Sequence, residues 1–195
     1  MEYFLLILLI IILGLVCLWG IFMVFMLVRT GVPFIPTSDK IVKEMLDAVK
    51  FSSFAKAADD RRGNLNIYEL GCGNGKMLFA IKKKCDKEGL KNVKIKGYEL
   101  ITPLVWWAKF WQKFLPKTSN KVEIFSRDFY KQDLSDADII FCYLFPHLMD
   151  KISCEIWSQL KKGTILVSHA FPMKEIPAKK VLKTAGTTIY VYEKM

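Results

Sequence analysis

The chain is poor in the residues that build metal centres and disulfide frameworks. Its 195 residues include two histidines, His147 and His169, and five cysteines, Cys17, Cys72, Cys85, Cys142 and Cys154, with no CxxC pair among them. That scatter argues against a zinc site or a disulfide scaffold, so no metal is expected and a reducing compartment fits best. Internal repeats and low-complexity segments are absent. No basic helix interleaved with base-stacking aromatics appears, and nucleic acid is therefore not an expected partner.

Charge is missing from one long stretch. Between Tyr3 and Val28 no residue is charged, and Leu, Ile, Val, Phe and Met dominate. As a helix this run reaches roughly 39 Å at about 1.5 Å per residue, against about 30 Å of bilayer hydrocarbon. A cleaved signal would bring a basic start, a shorter apolar core and a small-residue cleavage site. Here the start is Met1-Glu2 and the run ends in Leu27-Val28-Arg29. Residues 1–29 are expected to form a retained transmembrane anchor, with the cleaved reading as its rival. Glu2 on one side and Arg29, Lys40 and Lys43 on the other predict a single-pass membrane protein whose bulk is cytoplasmic. Gly14 and Gly20 are six apart and make no four-residue seam for helix pairing.

The remainder is basic, and the whole chain carries a formal net charge of +10. Lys82-Lys83-Lys84, Lys161-Lys162 and Lys179-Lys180 suit either a solvated surface or attraction to an anionic leaflet. Residues 30–65 read as a linker and a helix. Pro33 and Pro36 bias their predecessors toward extended backbone, and Thr37, Ser38 or Asp39 can cap the helix of this segment. Within it Ile41, Val42, Met45, Leu46 and Val49 recur at helical spacing.

From residue 66 onward, strands and helices alternate. Strands are expected at 66–70, 93–100, 122–126, 137–144 and 164–168, with the fourth apolar enough to be central. Helices are expected at 76–85 and 103–114, and a third through Leu148, Ile152, Ile156 and Leu160. Residues 179–182 and 187–192 flank Ala185-Gly186 and read as a hairpin. The fold class is therefore α/β: a doubly wound, mostly parallel, Rossmann-like sheet of seven strands with a C-terminal antiparallel hairpin, preceded by one transmembrane helix.

Residues 67–75, Ile-Tyr-Glu-Leu-Gly-Cys-Gly-Asn-Gly, run a strand into alternating glycines. Glycine lets the backbone turn sharply and lie close to a ligand. Glu69 sits just before the turn and Glu99 ends the next strand, which together make a nucleotide-type site. A dinucleotide fingerprint would read G-x-G-x-x-G, whereas this loop reads G-x-G-x-G. An acid at Glu69 suits a ligand carrying an ammonium group and would repel a pyrophosphate, so a Rossmann-type oxidoreductase is disfavoured. Glu99 can accept from both ribose hydroxyls. The expected ligand is adenosyl-bearing, held beyond the carboxyl ends of the strands by the glycine turn, Glu99, Arg127-Asp128 and Tyr143–Pro146.

On these residues the chain resembles the class I, seven-stranded S-adenosylmethionine-dependent methyltransferases. Glu69–Gly75 looks like their first motif, Glu99 like the acid of the second strand and Asp128 like the third-strand acid that meets the adenine amino group. The resemblance implies S-adenosyl-L-methionine as cofactor, bound by Glu69, Gly71, Cys72, Gly73, Asn74, Gly75, Glu99, Leu100 and Asp128, with Phe129 stacked on the ring. It covers roughly residues 67–195, so 66–195 is expected to be the methyltransferase domain. Three further pieces narrow the match: Val32-Pro33-Phe34-Ile35-Pro36-Thr37, Tyr143-Leu144-Phe145-Pro146 and Ser168-His169-Ala170-Phe171-Pro172. With the N-terminal apolar run, these look like the protein-lysine methyltransferases of adenine nucleotide translocase and the ATP synthase c subunit, and their prokaryotic relatives. The resemblance implies a membrane-associated enzyme that methylates a protein lysine, on a membrane protein. Three positions depart from that pattern. Asn74 replaces an acid in the glycine motif, Ala170 replaces the acid after Ser-His, and Ile101-Thr102 replaces Asn-Pro.

Methyl transfer from a sulfonium is an in-line displacement whose leaving group needs no proton, so no catalytic dyad is expected and none is visible. The protein must hold the acceptor near attack distance, exclude water and leave an amine neutral. Tyr143 and Pro146 are the catalytic candidates, because residues 143–146 shape the transfer end and the Tyr143 hydroxyl can orient the amine beside the cofactor. Thr37 is the candidate that closes the methionine end. His147 reads as a helix N-terminal residue, and His169 as either a substrate contact or a structural hydrogen bond. Trp106, Trp107, Phe110, Trp111 and Phe114 form a band wider than one buried stripe, expected mostly in core or interface with part touching lipid. Two alternatives stand beside the lysine reading: a small-molecule or lipid methyltransferase, and a degenerate, membrane-tethered binding module motivated by Asn74 and Ala170.

Overall fold

The computed structural model describes residues 2–30, 35–54, 64–184 and 186–195, and divides into two compact units, Met1–Pro36 and Thr37–Met195. The first unit contains helix α1, Glu2–Thr30. Its Tyr3–Phe22 span has a mean hydropathy of 3.2 and none of it is buried within the protein. A helix of that length and composition is long and apolar enough to cross a membrane.

The second unit is a seven-stranded sheet in the order β3-β2-β1-β4-β5-β7-β6. The strands are β1 (Leu65–Leu70), β2 (Val93–Glu99), β3 (Lys121–Ser126), β4 (Ile139–Cys142), β5 (Ile165–His169), β6 (Lys180–Thr184) and β7 (Thr187–Glu193). The first five are mutually parallel, and β7 pairs antiparallel with both β5 and β6. The doubly wound sheet with a terminal hairpin is therefore as the alternation of elements predicts. Strand order reverses between β1 and β4, where Leu70 lies beside both Tyr98 and Cys142. In open α/β sheets such a reversal leaves a ligand-binding crevice at the carboxyl ends of the strands.

Side chains alternate between the two faces, as a period of two requires. Leu65, Ile67, Ile139 and Phe141 enter one core cluster; Tyr68, Leu70, Ile140 and Cys142 enter the other. The first face is covered by α2 (Asp39–Asp47) and α3 (Lys76–Lys87), through Val42, Met45, Leu46, Leu78 and Ile81, and by Val105 and Ala108 of α4 (Thr102–Gln112). Ser38 caps α2 by accepting from the Ile41 N–H at 3.4 Å. β4 is buried at all four positions, consistent with its uninterrupted apolar run.

The second face carries α5 (Pro146–Lys151), which continues as a π-helical turn over Ile152–Ile156 and a 3₁₀ turn over Trp157–Gln159. The sequence spacing predicts one regular helix here, and the wider turn has a physical reason. Ile152, Ile156 and Leu160 are strictly four apart, and in a regular α-helix such positions drift by roughly 40° per step. A turn with i to i+5 bonding takes up that drift, and all three side chains stay in the core.

The lysine clusters do not all reach solvent. Lys82 is buried, its Nζ donating to Asp86 at 2.7 Å and to Thr118 at 2.7 Å. Asn120 joins them by donating to Asp86 at 2.7 Å and accepting from Val93 at 2.9 Å. This network ties α3 to the starts of β2 and β3, at the end of the sheet away from the crevice.

Candidate functional site

After Leu70 the backbone turns through Gly71, Gly73 and Gly75, whose φ angles are +74°, +51° and +82°. A left-handed residue with a side chain costs about 1–2 kcal/mol, so this turn is built for glycine. The Gly71 and Cys72 N–H groups both donate to the Tyr98 carbonyl, at 2.9 and 3.0 Å, and the Gly75 N–H donates to the Cys72 carbonyl at 2.8 Å. Space makes the same demand: a Cβ on Gly75 would stand 2.8 Å from Phe79 and 3.1 Å from Ala108. One glycine of the site is not singled out by its sequence context. A Cβ on Gly97 would lie 2.4 Å from Leu78 and 2.8 Å from Cys72, so β2 needs a bare position under the loop. The available signal is a glycine inside a strand just ahead of an acid.

The two acids flank this turn and are satisfied differently. Glu99 accepts the Gly73 N–H at 2.9 Å with one oxygen and the Ile101 N–H at 3.0 Å with the other. Burial raises its pKa, and the N–H groups of Ile101, Gly73 and Leu100 oppose that rise. A carboxylate offers about four lone-pair sites, so acceptor capacity remains for ligand hydroxyls. Glu69 is partly buried as a residue, but its Oε2 is enclosed and has no hydrogen-bond partner among the described residues. Burial pushes its pKa well up, the Leu78 N–H opposes this, and the neighbouring Glu99 raises it further. Burial and the same two carboxyls also hold the Cys72 thiol well above its usual range, so it is neutral and no nucleophile.

An orphaned, buried carboxylate oxygen beside a bare turn is costly unless a ligand completes it. A ligand that brings an ammonium group and a ribose diol would do so, and the residues present fit S-adenosylmethionine. Thr37 lies near the same loop: its carbonyl accepts from Lys76 Nζ at 2.8 Å, and Lys76 also pairs with Asp39 at 3.0 Å. Lys76 thus straps residues 37–39 to the start of α3, a link between distant positions that no sequence pattern announces. Asn74 accepts from the Lys76 N–H at 3.3 Å. Asp128 caps a short 3₁₀ turn by accepting from the Tyr130 N–H at 3.0 Å. Phe129 is mostly buried within the second core cluster, its ring centroid 4.3 Å from that of Tyr130. Leu100 is exposed beside Glu99.

On the other side of the crevice stand rings. Tyr143 follows β4, with its ring centroid 4.2 Å from that of His169 at the end of β5. Phe171 stacks 6.5 Å from Tyr143 and 5.8 Å from Phe145. Leu144 reaches back to the glycine turn, where a Cβ on Gly71 would meet it at 3.0 Å. Pro146 opens α5 at a position where a missing N–H costs nothing, and His147 is the next, exposed residue of that helix. His169 has a structural hydrogen bond, its Nε2 lying 2.7 Å from Thr187 Oγ1, while its Nδ1 is buried without a partner among the described residues. Burial lowers its pKa, which favours the neutral ring. Ala170 has φ +67° and is spanned by a Phe171 N–H bond to the His169 carbonyl at 2.8 Å, a tight γ-turn that swings Phe171 back over the site.

Comparison with known proteins agrees with this geometry. The profile of the ANTKMT methyltransferase domain matches residues 69–180. A protein-lysine N-methyltransferase of Saccharolobus islandicus (strain REY15A) is 26% identical over 165 residues, which span 83% of this chain and 92% of that protein. Among solved structures, an RNA methyltransferase from Salinibacter ruber in complex with S-adenosyl-L-homocysteine superposes with a TM-score of 0.64 at 24% identity, covering 82% of this chain and 94% of that one. Magnesium protoporphyrin IX methyltransferase from Synechocystis PCC 6803 gives 0.53 at 14% identity, over 80% and 77%. At these identities the structural likenesses speak for the fold.

Proposed function

We infer the acceptor from one premise: the chain belongs to the ANTKMT methyltransferase domain family and is an S-adenosylmethionine-dependent methyltransferase. The reading that the site supports best is N-methylation of a lysine side chain on a protein at a membrane. The observation that carries it is the ring-lined mouth made by Tyr143, Phe145 and Phe171 beside the neutral imidazole of His169. A lysine has a four-carbon apolar stem and a cationic head, and aromatic faces suit both. The name of the Saccharolobus relative points the same way.

Each proposed role follows from position. Glu69 receives the ammonium group and Glu99 the ribose hydroxyls. Gly71, Cys72, Gly73, Asn74 and Gly75 give the backbone surface between them. Leu100, Asp128 and Phe129 border the base, and Thr37, held by Lys76, closes the methionine end. When bound, S-adenosylmethionine supplies a methyl group on a sulfonium, which leaves its sulfur as the new nitrogen–carbon bond forms. The chain's own work is to orient the amine through Tyr143 and the turn fixed by Pro146, and to keep water out with the rings. A lysine amine has an ordinary pKa near 10.4, and desolvation among those rings lowers it, so that the ammonium loses its proton before attack.

Residues 1–29 serve in this reading as the membrane anchor, 30–65 as linker and first helix, and 66–195 as the catalytic domain on the cytoplasmic side. The test is transfer of an isotope-labelled methyl group to membranes lacking the gene, followed by acid hydrolysis. Label is expected in methyl-lysine. Label that partitions into organic solvent would instead identify a lipid acceptor. No transfer, with donor binding intact, would leave only a binding module.

A further inference from the structure

Helix α4 presents two unlike sides. Val105 and Ala108 enter the core, and Gln112 donates to the Val122 carbonyl at 2.6 Å, so one side is fixed to the sheet. The opposite side is aromatic and open: Trp106 is 69% exposed, Trp107 54%, Phe110 50%, Trp111 46% and Phe114 67%. The sequence pattern predicts most of these rings in core or interface; in this chain none is buried. Four of the five rings touch one another. Trp107 and Trp111 lie 5.9 Å apart, Phe110 and Trp111 5.6 Å, and Phe110 and Phe114 5.4 Å. A contiguous apolar face of this kind marks an interaction surface on a soluble domain.

Its surroundings identify the partner. Between Ile101 and Lys121 there is no acidic residue, while Lys109, Lys113, Lys117 and Lys121 follow one another along the same segment. Exposed tryptophans with lysines and no acids match the interface of an anionic bilayer, where indole rings sit at headgroup depth and ammonium groups meet phosphates. We propose that the outer face of α4 is a lipid-docking surface that lays the catalytic unit on an anionic membrane. Ala108, on the inner side of the same helix, abuts the glycine turn. A bilayer on the outer side therefore lies about one helix diameter, roughly 10 Å, from the donor loop. The site then works at membrane height, where a lysine close to the bilayer is within reach. This proposal deepens the membrane-protein reading, yet it is separate from α1 as an anchor.

The test uses the full chain with Trp19→Phe and Trp157→Phe, so that Trp106, Trp107 and Trp111 alone report. It is incorporated into phosphatidylcholine vesicles with and without phosphatidylserine, using lipids brominated near the headgroup end of the acyl chains. Flotation reports anchoring by α1, and fluorescence quenching reports contact by α4. Quenching is expected on the anionic vesicles. The variant Lys109→Glu/Lys113→Glu/Lys117→Glu is expected to weaken it by about fivefold for each lysine near the surface. A chain that floats with unquenched tryptophans overturns the proposal and leaves the anchor standing. Failure to float overturns both. Quenching that survives lysine reversal overturns the assignment to anionic lipid. A dimer in sedimentation with shielded, unquenched rings would give the face to a second copy of the chain and overturn it as well.

Discussion

On the proposed donor side of the crevice, between β1 and β2, the site is made of backbone. Three glycines turn the chain, and one carboxylate, Glu99, gathers two N–H groups; a single oxygen, on Glu69, is left over. On the proposed acceptor side, beyond β4 and β5, it is made of rings. Tyr143, Phe145, Phe171 and His169 lean on one another, and among the described residues no hydrogen bond holds the Tyr143 hydroxyl. A donor of fixed shape can be met by a rigid, hydrogen-bonded cradle. An acceptor presented by another macromolecule needs a mouth that excludes water and tolerates approach.

Three substitutions test that contrast. The largest effect is expected from Glu99→Ala, which leaves the buried Gly73 and Ile101 N–H groups unpaired as well as removing the proposed ribose acceptor. At about 1.5–3 kcal/mol for each hydroxyl hydrogen bond to the carboxylate, losing two should lower donor affinity a hundredfold or more by calorimetry. Unchanged affinity would show that the backbone cradle is not the donor site.

Glu69→Gln should divide binding from stability. Burial raises the folded pKa of Glu69 above its ordinary value of 4.5. The carboxyl therefore costs no stability below that value, where it is protonated folded or unfolded, and a growing amount as pH rises toward the folded pKa. The glutamine variant, free of donor, should resist urea better than the parent at neutral pH and equally at about pH 4. Its donor affinity should fall about tenfold to a hundredfold, the order expected for a hydrogen bond to a charged group. A variant less stable at neutral pH would mean that the carboxylate is already paired.

Tyr143→Phe should have the smallest effect and the most selective one. Turnover should drop by up to about tenfold, the worth of one hydrogen bond, with donor affinity unchanged. An equal loss in donor affinity would merge the two sides into one pocket.

The same division governs what the sequence reveals. Glycines at 71, 73 and 75 and acids at 69 and 99 announce the tight turn after β1 and the carboxyls beside it, because backbone geometry tolerates few residue types there. Seven strands, the central position of β4 and the terminal hairpin are legible from periodicity and alternation. The ring mouth is visible only in outline, as short pieces around Tyr143 and Ser168, since its form comes from packing across strands distant in sequence. Gly97 is hidden because its need arises from Leu78 and Cys72 above it. Lys76 is hidden because Thr37 reaches it only after folding. On α4, the band of rings is legible but its outward direction is not, because aromatic residues more often turn inward.

Ala170 explains one of the departures from the family pattern in conformational terms. With φ +67°, that position asks first for a residue at ease in left-handed backbone. A γ-turn of this hand is a rare, strained conformation for any residue with a side chain. Alanine keeps the bend, and with it the aim of Phe171, at about 1–2 kcal/mol of strain. Loss of the acid therefore subtracts a charge while sparing the shape, and by itself it does not mark this chain as a relic.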